Sequence, residues 1–369
     1  MRIGILVPSV GQFGNRLFYN AQEIGLAKAF DCICDEVKVY RLVDASCKYT
    51  GEWLEGCQNT YVQFIPSKKI GTNGLLDLKV LDKTLDMLVF FSDTQIIVPA
   101  VHRWAKKNGV VLIPYIGVIE SHSTSSLKRL IMDFLFRRNL AVYKKHHCAV
   151  KTPAVQAKLE KMGVSAITVT PVGLDLSVLK TDFVDADELT LKQKYGYCAS
   201  DKVLLFVGRL TEEKQPLRMI ELFDQLHRRN SNYKLLMVGD GEQRKTVTED
   251  VEKRNLTSAI QIIERISNKD IWELYRFADC FVNLNQQEIF GMAILEAMYY
   301  GCKVVAWKAP GPSFIIEDGI SGCLADNDEG ILTAITGKSI MPEASQRRIS
   351  DNFTWDKTAQ KLLSIAESK

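Results

Sequence analysis

Short runs of almost unbroken apolar residues alternate along this chain with longer stretches of helical period. Residues 1–8 (MRIGILVP) read as a strand, and 20–30 (NAQEIGLAKAF) as the helix that crosses back from it. Further strands are predicted over 36–42, 87–91 and 110–115. A second set opens at Lys202 with KVLLFVG and continues through KLLMVGD, AIQIIE, CFVNL and CKVVAW. Such runs suit strands buried on both faces. Their alternation with helices predicts parallel sheets built from βαβ units, hence an α/β protein. The terminal NFTWDKTAQKLLSIAE has the period of an amphipathic helix, with Trp355, Ala359, Leu362 and Leu363 near one face.

A chain of 369 residues exceeds what one hydrophobic core usually serves. The two strand sets predict two doubly wound domains, over 1–175 and 176–350, joined near 172–200 where Gly173 and TDFVDADELTLKQKYG stand. Residues 351–369 are expected to form a helix that packs back on the first domain. Ligands of open α/β sheets lie beyond the carboxyl ends of the strands, so two such sheets predict a site in the cleft between them.

Composition narrows the classes. Fractions of 46% hydrophobic and 25% charged residues are those of a globular chain. No apolar run approaches the roughly 20 residues that span a bilayer. The first strand is too short in apolar residues for a secretory signal, so a cytoplasmic protein is expected. Nine cysteines, odd in number and without a C-x-x-C pair, suggest neither a disulfide framework nor a zinc site. Charge is uneven: residues 1–174 carry 22 Lys+Arg against 14 Asp+Glu, the remainder 25 against 30. A basic first half suggests an anionic partner. LKRLIMDFLFRRNLAVYKKHH, residues 127–147, sharpens that. Leu127, Leu130, Ile131, Phe134, Leu135 and Leu140 alternate with Lys128, Arg129, Arg137, Arg138, Lys144 and Lys145. The pattern fits a helix lying on an anionic membrane, with Lys68 and Lys69 able to join it, and equally a surface helix packed on its own domain. His146 and His147 end that run, where the helix dipole favours cations, and are not read as metal ligands.

The chemistry concentrates in QQEIFGMAILEAMYYGCKVVAW. Glu288 and Glu296 flank Phe290-Gly291. A helix starting near Gly291 places Glu296 in its first turns and Glu288 on the loop leading in. Its free N–H groups then form an anion-binding end, and a neighbouring carboxylate can accept hydrogen bonds from sugar hydroxyls. The spacing alone also suits acidic residues favoured at any helix start. FVGRLTEEKQP, after a buried strand, opens a helix and supplies two basic residues, Arg209 and Lys214, near its start.

These motifs resemble those of glycosyltransferase family 4, the large group of retaining enzymes with the two-domain GT-B fold. The family's signature is E-x7-E within E-x-F-G…EAM-x-x-G-x-P-V-V, and here it stands as EIFGMAILEAMYYGCKVV, with Cys302-Lys303 at the usual proline. FVGRLTEEKQP resembles the GR-L-x-x-x-K-G segment, with Gln215 for glycine. The resemblance implies that Glu296 binds the donor ribose and that Glu288 contacts the transferred sugar. The backbone at Phe290 and Gly291 would face sugar and diphosphate, and Gly208, Arg209 and Lys214 would hold the diphosphate. VGDGEQ, from Gly239, resembles the turn after the second donor-domain strand. APGPSFIIEDGISGCL resembles the G-G-x-x-E-I-I loop at Gly311, though Pro312 and Phe314 depart from it. Ile266, in IIERIS, would meet the base through its main chain, with Glu264 in place of a glycine.

In the first domain the resemblance is looser. Gly11 and Gly14 of GQFGN stand where a glycine-rich loop lets amides approach phosphates. In YIGVIESHS the register puts Glu120 at the family's sugar-facing histidine, with His122 two residues on, and either could face the sugar.

The resemblance implies transfer of a hexose-type sugar from a nucleotide sugar, UDP favoured, to a glycan or lipid-diphosphate-linked acceptor of the bacterial capsule and exopolysaccharide kind. Front-side displacement would let the donor phosphate take the acceptor's proton. No D-x-D element emerges, so no essential metal or other cofactor is expected, and no nucleic-acid partner. Two other enzymes share parts of the pattern: a GT-B-shaped nucleotide-sugar epimerase, and a nicotinamide-dependent oxidoreductase, because GQFGN follows the first strand. The latter lacks a third glycine and an acidic ribose partner where VKVYRL stands.

Overall fold

The computed structural model describes residues 1–10, 21–48, 50–70, 73–119, 126–180, 183, 186–267, 269–338 and 340–367, and of 126–129 the backbone alone. Gly11, Gly14, Glu120 and His122 lie outside the described residues. Two compact units emerge: Met1–Asp175 with Thr354–Lys369, and Leu176–Phe353.

The first unit begins β1 (Arg2–Val7), α1 (Gln22–Asp31), β2 (Glu36–Asp44), β3 (Gly51–Trp53), β4 (Thr60–Ser67) and the small hairpin β5 (Lys69–Ile70), β6 (Asn73–Gly74). It continues with β7 (Met87–Phe91), α2 (Val98–Asn108), β8 (Val111–Ile116), α3 (Ser126–Tyr143), β9 (Cys148–Val150), α4 (Pro153–Lys161) and β10 (Ile167–Val169). The eight-stranded sheet has the order β10-β9-β8-β7-β1-β2-β4-β3, parallel except at the β3 edge. Its central strands are buried on both faces, which is why they read as continuous apolar runs. β9 and β10 went unpredicted because three residues carry no period. In β4, Gln63 and the exposed Pro66 interrupt the apolar pattern.

The second unit runs α5 (Glu188–Lys194), β11 (Lys202–Val207), α6 (Pro216–Arg229), β12 (Tyr233–Val238), α7 (Arg244–Lys253), β13 (Ile260–Ile263), α8 (Ile271–Phe277) and β14 (Cys280–Asn283). It closes with α9 (Met292–Tyr299), β15 (Val304–Trp307), α10 (Pro312–Ile315), β16 (Cys323–Ala325), α11 (Asp328–Thr336) and α12 (Pro342–Asn352). Its six strands are all parallel, in the order β13-β12-β11-β14-β15-β16. The direction of winding reverses between β11 and β14, so the loops after these two strands flank the switch point where such folds bind ligands.

The described residues of the expected joining stretch include α5 and Phe183. α5 packs on α8, and the Phe183 ring meets Tyr299 and Tyr300 at 5.6 and 4.9 Å. α12 belongs to the second unit, and the chain returns to the first only at Thr354. There α13 (Trp355–Glu367) packs on α1, with Trp355 buried and the Thr358 hydroxyl donating to the Pro171 carbonyl at 2.5 Å.

The basic helix divides its apolar residues in two. Leu135, Phe136, Val142 and Tyr143 are buried in the first unit's core, whereas Leu130, Ile131 and Phe134 stand 68%, 50% and 67% exposed. Arg138 is half-buried. Its guanidinium donates to the carbonyls of Ile96 at 2.6 Å and Gln95 at 3.3 Å, tying α3 to the loop after β7. Lys144 and Lys145 lie beyond the helix and are exposed. His146 leaves the helix for a ring-to-ring hydrogen bond with His102 at 2.7 Å.

One close approach shapes the switch point. A Cβ on Gly311 would lie 2.2 Å from the Phe290 carbonyl oxygen, and the Gly311 N–H donates to the Glu288 carbonyl at 2.8 Å. The start of α10 is thus seated directly on the loop that carries Glu288. Gly311→Ala is therefore expected to lower the unfolding free energy by about 2 kcal/mol, as overpacking against backbone does. Denaturant titration checks this, and an unchanged midpoint would show that the loop yields freely.

Candidate functional site

β11 ends at Val207, and the chain turns through Gly208 and Arg209 into the buried anchor Leu210. Hydrogen bonds stitch this loop to the one after β12: Gly208 N–H to Val238 O at 3.0 Å, and Leu210 N–H to Asp240 O at 2.9 Å. Gly239 is held in turn by its N–H to Ile263 O at 2.9 Å. A single 3₁₀ turn, Glu212–Lys214, then presents Lys214. Gln215 closes the turn with φ 58° and ψ 44°, a left-handed conformation that glycine adopts without strain. That explains why the resembling motif carries glycine there. Pro216, with its fixed φ, starts α6.

The second loop leaves β14 through Asn283, Leu284 and Asn285. Asn283 Oδ1 accepts the Asn285 N–H at 3.0 Å, and Asn285 Oδ1 accepts the Gln287 N–H at 3.0 Å. These side-chain turns curl the chain so that Glu288 points back to the loop after β11. Phe290 turns inward against Phe353, ring centroids 6.3 Å apart, so only its backbone is offered outward. Gly291, at φ 105°, makes the bend into α9, a conformation closed to residues with a Cβ. No side chain caps this helix, which leaves N–H groups of its first turn for an anion.

The two loops meet in an ion pair. Lys214 Nζ lies 2.6 Å from Glu288 Oε2, with the side chains 24% and 13% exposed. Asn285 Nδ2 donates to the same oxygen at 3.2 Å. The other two charged residues stand apart from this pair. Arg209 is solvated, its side chain 70% exposed and bonded to Glu213 at 2.5 Å. Glu296, 5% exposed, takes a hydrogen bond from the Tyr275 hydroxyl at 3.0 Å. Ile266 lies half-buried on the loop after β13, and Glu264 there faces Arg244 at 3.6 Å.

Sequence reasoning missed Asn285 and Tyr275. An Asn three residues before Glu288 is a readable turn signal. Nothing local in the sequence marks Tyr275, which reaches Glu296 from α8 through tertiary packing. Cys302 and Lys303, where the resembling motif carries proline, serve the scaffold. The Cys302 thiol is buried and donates toward the Ala278 carbonyl at 3.5 Å, its pKa pushed well up by burial. Lys303 Nζ caps carbonyls at the end of α11, at 3.3 Å to Ile335 and 3.1 Å to Gly337. Among the described residues no group of three or more His, Cys, Asp or Glu side chains is arranged to hold a metal ion.

Residues 187–347 match the family model for glycosyl transferases group 1. Lipopolysaccharide 1,2-N-acetylglucosaminetransferase of Salmonella typhimurium is 26% identical over 275 residues, covering 67% of this chain and 71% of that protein. Alpha-monoglucosyldiacylglycerol synthase of Acholeplasma laidlawii is 21% identical over 189 residues, 51% of this chain and 48% of that protein. Among solved structures, HepE of Anabaena in complex with UDP-glucose superposes with a TM-score of 0.76 at 21% identity over all of both chains. Sucrose-phosphate synthase of Thermosynechococcus elongatus gives 0.73 at 16% identity, over 100% of this chain and 98% of the other. Two Rossmann-like units with this fold, and the group 1 match across the switch-point loops, make the chain a glycosyltransferase of the GT-B type.

Proposed function

We propose that the chain transfers a hexose-type sugar from a UDP-sugar, with retention of anomeric configuration, to a glycan or lipid-linked acceptor in the assembly of a surface polysaccharide. The observation that carries this reading is the Lys214–Glu288 ion pair at the β11/β14 switch point. It brings a phosphate-binding cation and a hydroxyl-binding carboxylate to one place beside an uncapped helix start. The UDP-glucose complex of HepE supports UDP as the nucleotide, and the Salmonella relative supports an envelope glycan as acceptor. No observation on this chain favours an epimerase or an oxidoreductase.

In the proposed reaction the bond between the anomeric carbon and the diphosphate oxygen breaks, and the acceptor oxygen bonds from the same face. The acceptor's proton passes to the departing diphosphate. Lys214 offsets the charge that develops on the diphosphate, a stabilisation that grows toward the transition state. Arg209 joins it by leaving Glu213, an exposed pair that costs little to break. Glu288 orients the sugar hydroxyls, Glu296 holds the ribose with Tyr275 fixing one of its oxygens, and the main chain at Ile266 meets the base. Glu120 or His122 would serve the transferred sugar, and Gly11 and Gly14 the phosphates. We infer no requirement for a divalent ion.

The exposed Leu130, Ile131 and Phe134, with the exposed Arg137 one turn on, support peripheral contact with an anionic membrane at the inner face of the cell membrane. Among the described residues no helix is long and apolar enough to cross a membrane.

With a panel of UDP-sugars assayed by UDP release, Glu288→Gln and Lys214→Ala are each expected to lower turnover by about 100-fold, the scale of removing a charge-stabilising contact. Transfer should persist in excess EDTA. Folded variants that both turn over at the wild-type rate would refute the site. In a separate sedimentation assay, vesicles containing phosphatidylglycerol should bind the chain and release a Leu130→Ser, Ile131→Ser, Phe134→Ser variant. Equal binding by that variant would remove the membrane reading.

A further inference from the structure

We propose that Asn285 is a positioning residue for the transfer reaction: its side-chain amide holds the Glu288 carboxylate in place for the donor sugar while Lys214 is drawn toward the diphosphate. The inference rests on reading Glu288 as a sugar contact.

Asn285 is 6% exposed and sits two residues past Asn283, the last residue of β14. Both halves of its amide are engaged. Oδ1 accepts the Gln287 N–H at 3.0 Å, which forms the turn, and Nδ2 donates to Glu288 Oε2 at 3.2 Å. The amide cannot be reversed, because that would set oxygen against carboxylate and NH₂ against N–H. Asn285 is therefore chemically specified from both sides.

The need for a second donor follows from Lys214. Its ammonium bonds the same oxygen, Oε2, at 2.6 Å. A cation that also serves a diphosphate is shared between two anions, and its hold on Glu288 weakens as charge develops on the leaving group. Asn285 is neutral and anchored by β14, so it does not compete for phosphate and does not move with it. Oε1 has no hydrogen-bond partner among the described residues, which leaves it for a sugar hydroxyl. A donor on Oε2 that stays fixed when Lys214 shifts, together with an open second oxygen, forms a preorganised acceptor, in which small misplacements are costly.

Asn285→Asp separates this role from a structural one. Asp keeps the shape and the acceptor for Gln287 N–H, so the turn survives. It removes the donor to Glu288 and sets a second carboxylate beside it. The expected result is a variant that still unfolds cooperatively, with a somewhat lower melting temperature from the added buried charge, and UDP affinity unchanged by calorimetry. Turnover with the UDP-sugar that serves as donor should fall about tenfold or more, as mispositioned groups do. In a Glu288→Gln background the carboxamide has a donor of its own for the introduced carboxylate. There the same change should alter turnover by less than about twofold, the mark of a shared interaction. Asn285→Ser is the second variant. Its hydroxyl can still accept the Gln287 N–H but does not replace the amide, and it should show the same split between UDP affinity and turnover. Wild-type turnover in Asn285→Asp, with Glu288→Gln impaired, overturns the proposal and leaves the site reading intact. Wild-type turnover in Glu288→Gln overturns that reading instead. Equal losses of UDP affinity and turnover in both Asn285 variants would reduce Asn285 to a structural residue and refute the proposal.

Discussion

A cation and a carboxylate 74 residues apart in the chain meet at 2.6 Å because strand order sets β11 beside β14. The winding of the sheet reverses there, so no crossover helix covers the carboxyl ends of these two strands, and their loops are free to converge. Everything proposed for the donor site depends on that convergence. The pair is mostly shielded from water, and replacing such pairs by apolar residues often leaves stability unchanged. Stability is therefore a poor explanation for it. On the proposed function, its value lies in what each partner can do when a phosphate and a sugar arrive.

The scaffold holds this geometry by backbone means. Leu210 anchors the cation loop in the core, and hydrogen bonds to Val238 and Asp240 fix it against its neighbour. Gly311 seats a helix start on the carbonyl of Glu288, and Gly291 turns the chain into α9 at an angle no other residue takes easily. The chemistry-bearing side chains are few and long, and the parts that aim them are short and rigid. Preorganisation of this kind suits the proposed reaction, whose catalysis would be positioning and charge stabilisation rather than a dedicated base.

How much of this was legible follows from length and locality. The longer strands announced themselves, because near-unbroken apolar runs bounded by turn residues have few other uses. Strands such as Cys148–Val150 and Ile167–Val169 were silent, since their burial comes from neighbours rather than from pattern. The loop bearing Glu288 and the helix carrying Glu296 were readable from Gly291 and from periodicity. The partners of those glutamates were not equally so. Asn285 is local and could be read as a turn residue, whereas Tyr275 reaches Glu296 only through the packing of α8 against α9. The division of α3 was hidden too, because periodicity marks an apolar face without saying what covers it.

Three departures from the resembling motif, at Gln215, Cys302 and Lys303, fall on the scaffold. Gln215 takes a left-handed conformation in place of glycine, at a cost of about 1 kcal/mol, the usual penalty for a side chain there. Lys303 stands where proline would stiffen the approach to β15, and instead ties that approach to the end of α11 through two carbonyls. Cys302 fills the adjoining core as a small apolar residue. Each change alters how the loops are supported, and none removes a charge or a hydroxyl acceptor from the switch point. The asymmetry has a physical reason. A backbone position can be held by a ring, a hydrogen bond or a packed side chain, so one support replaces another at small cost. A cation aimed at a developing diphosphate charge has no such substitute, because only a positive group strengthens its hold as that charge grows. On the proposed function, Arg209, Lys214, Glu288 and Glu296 are therefore the positions at which this chain has least room to differ and still transfer a sugar.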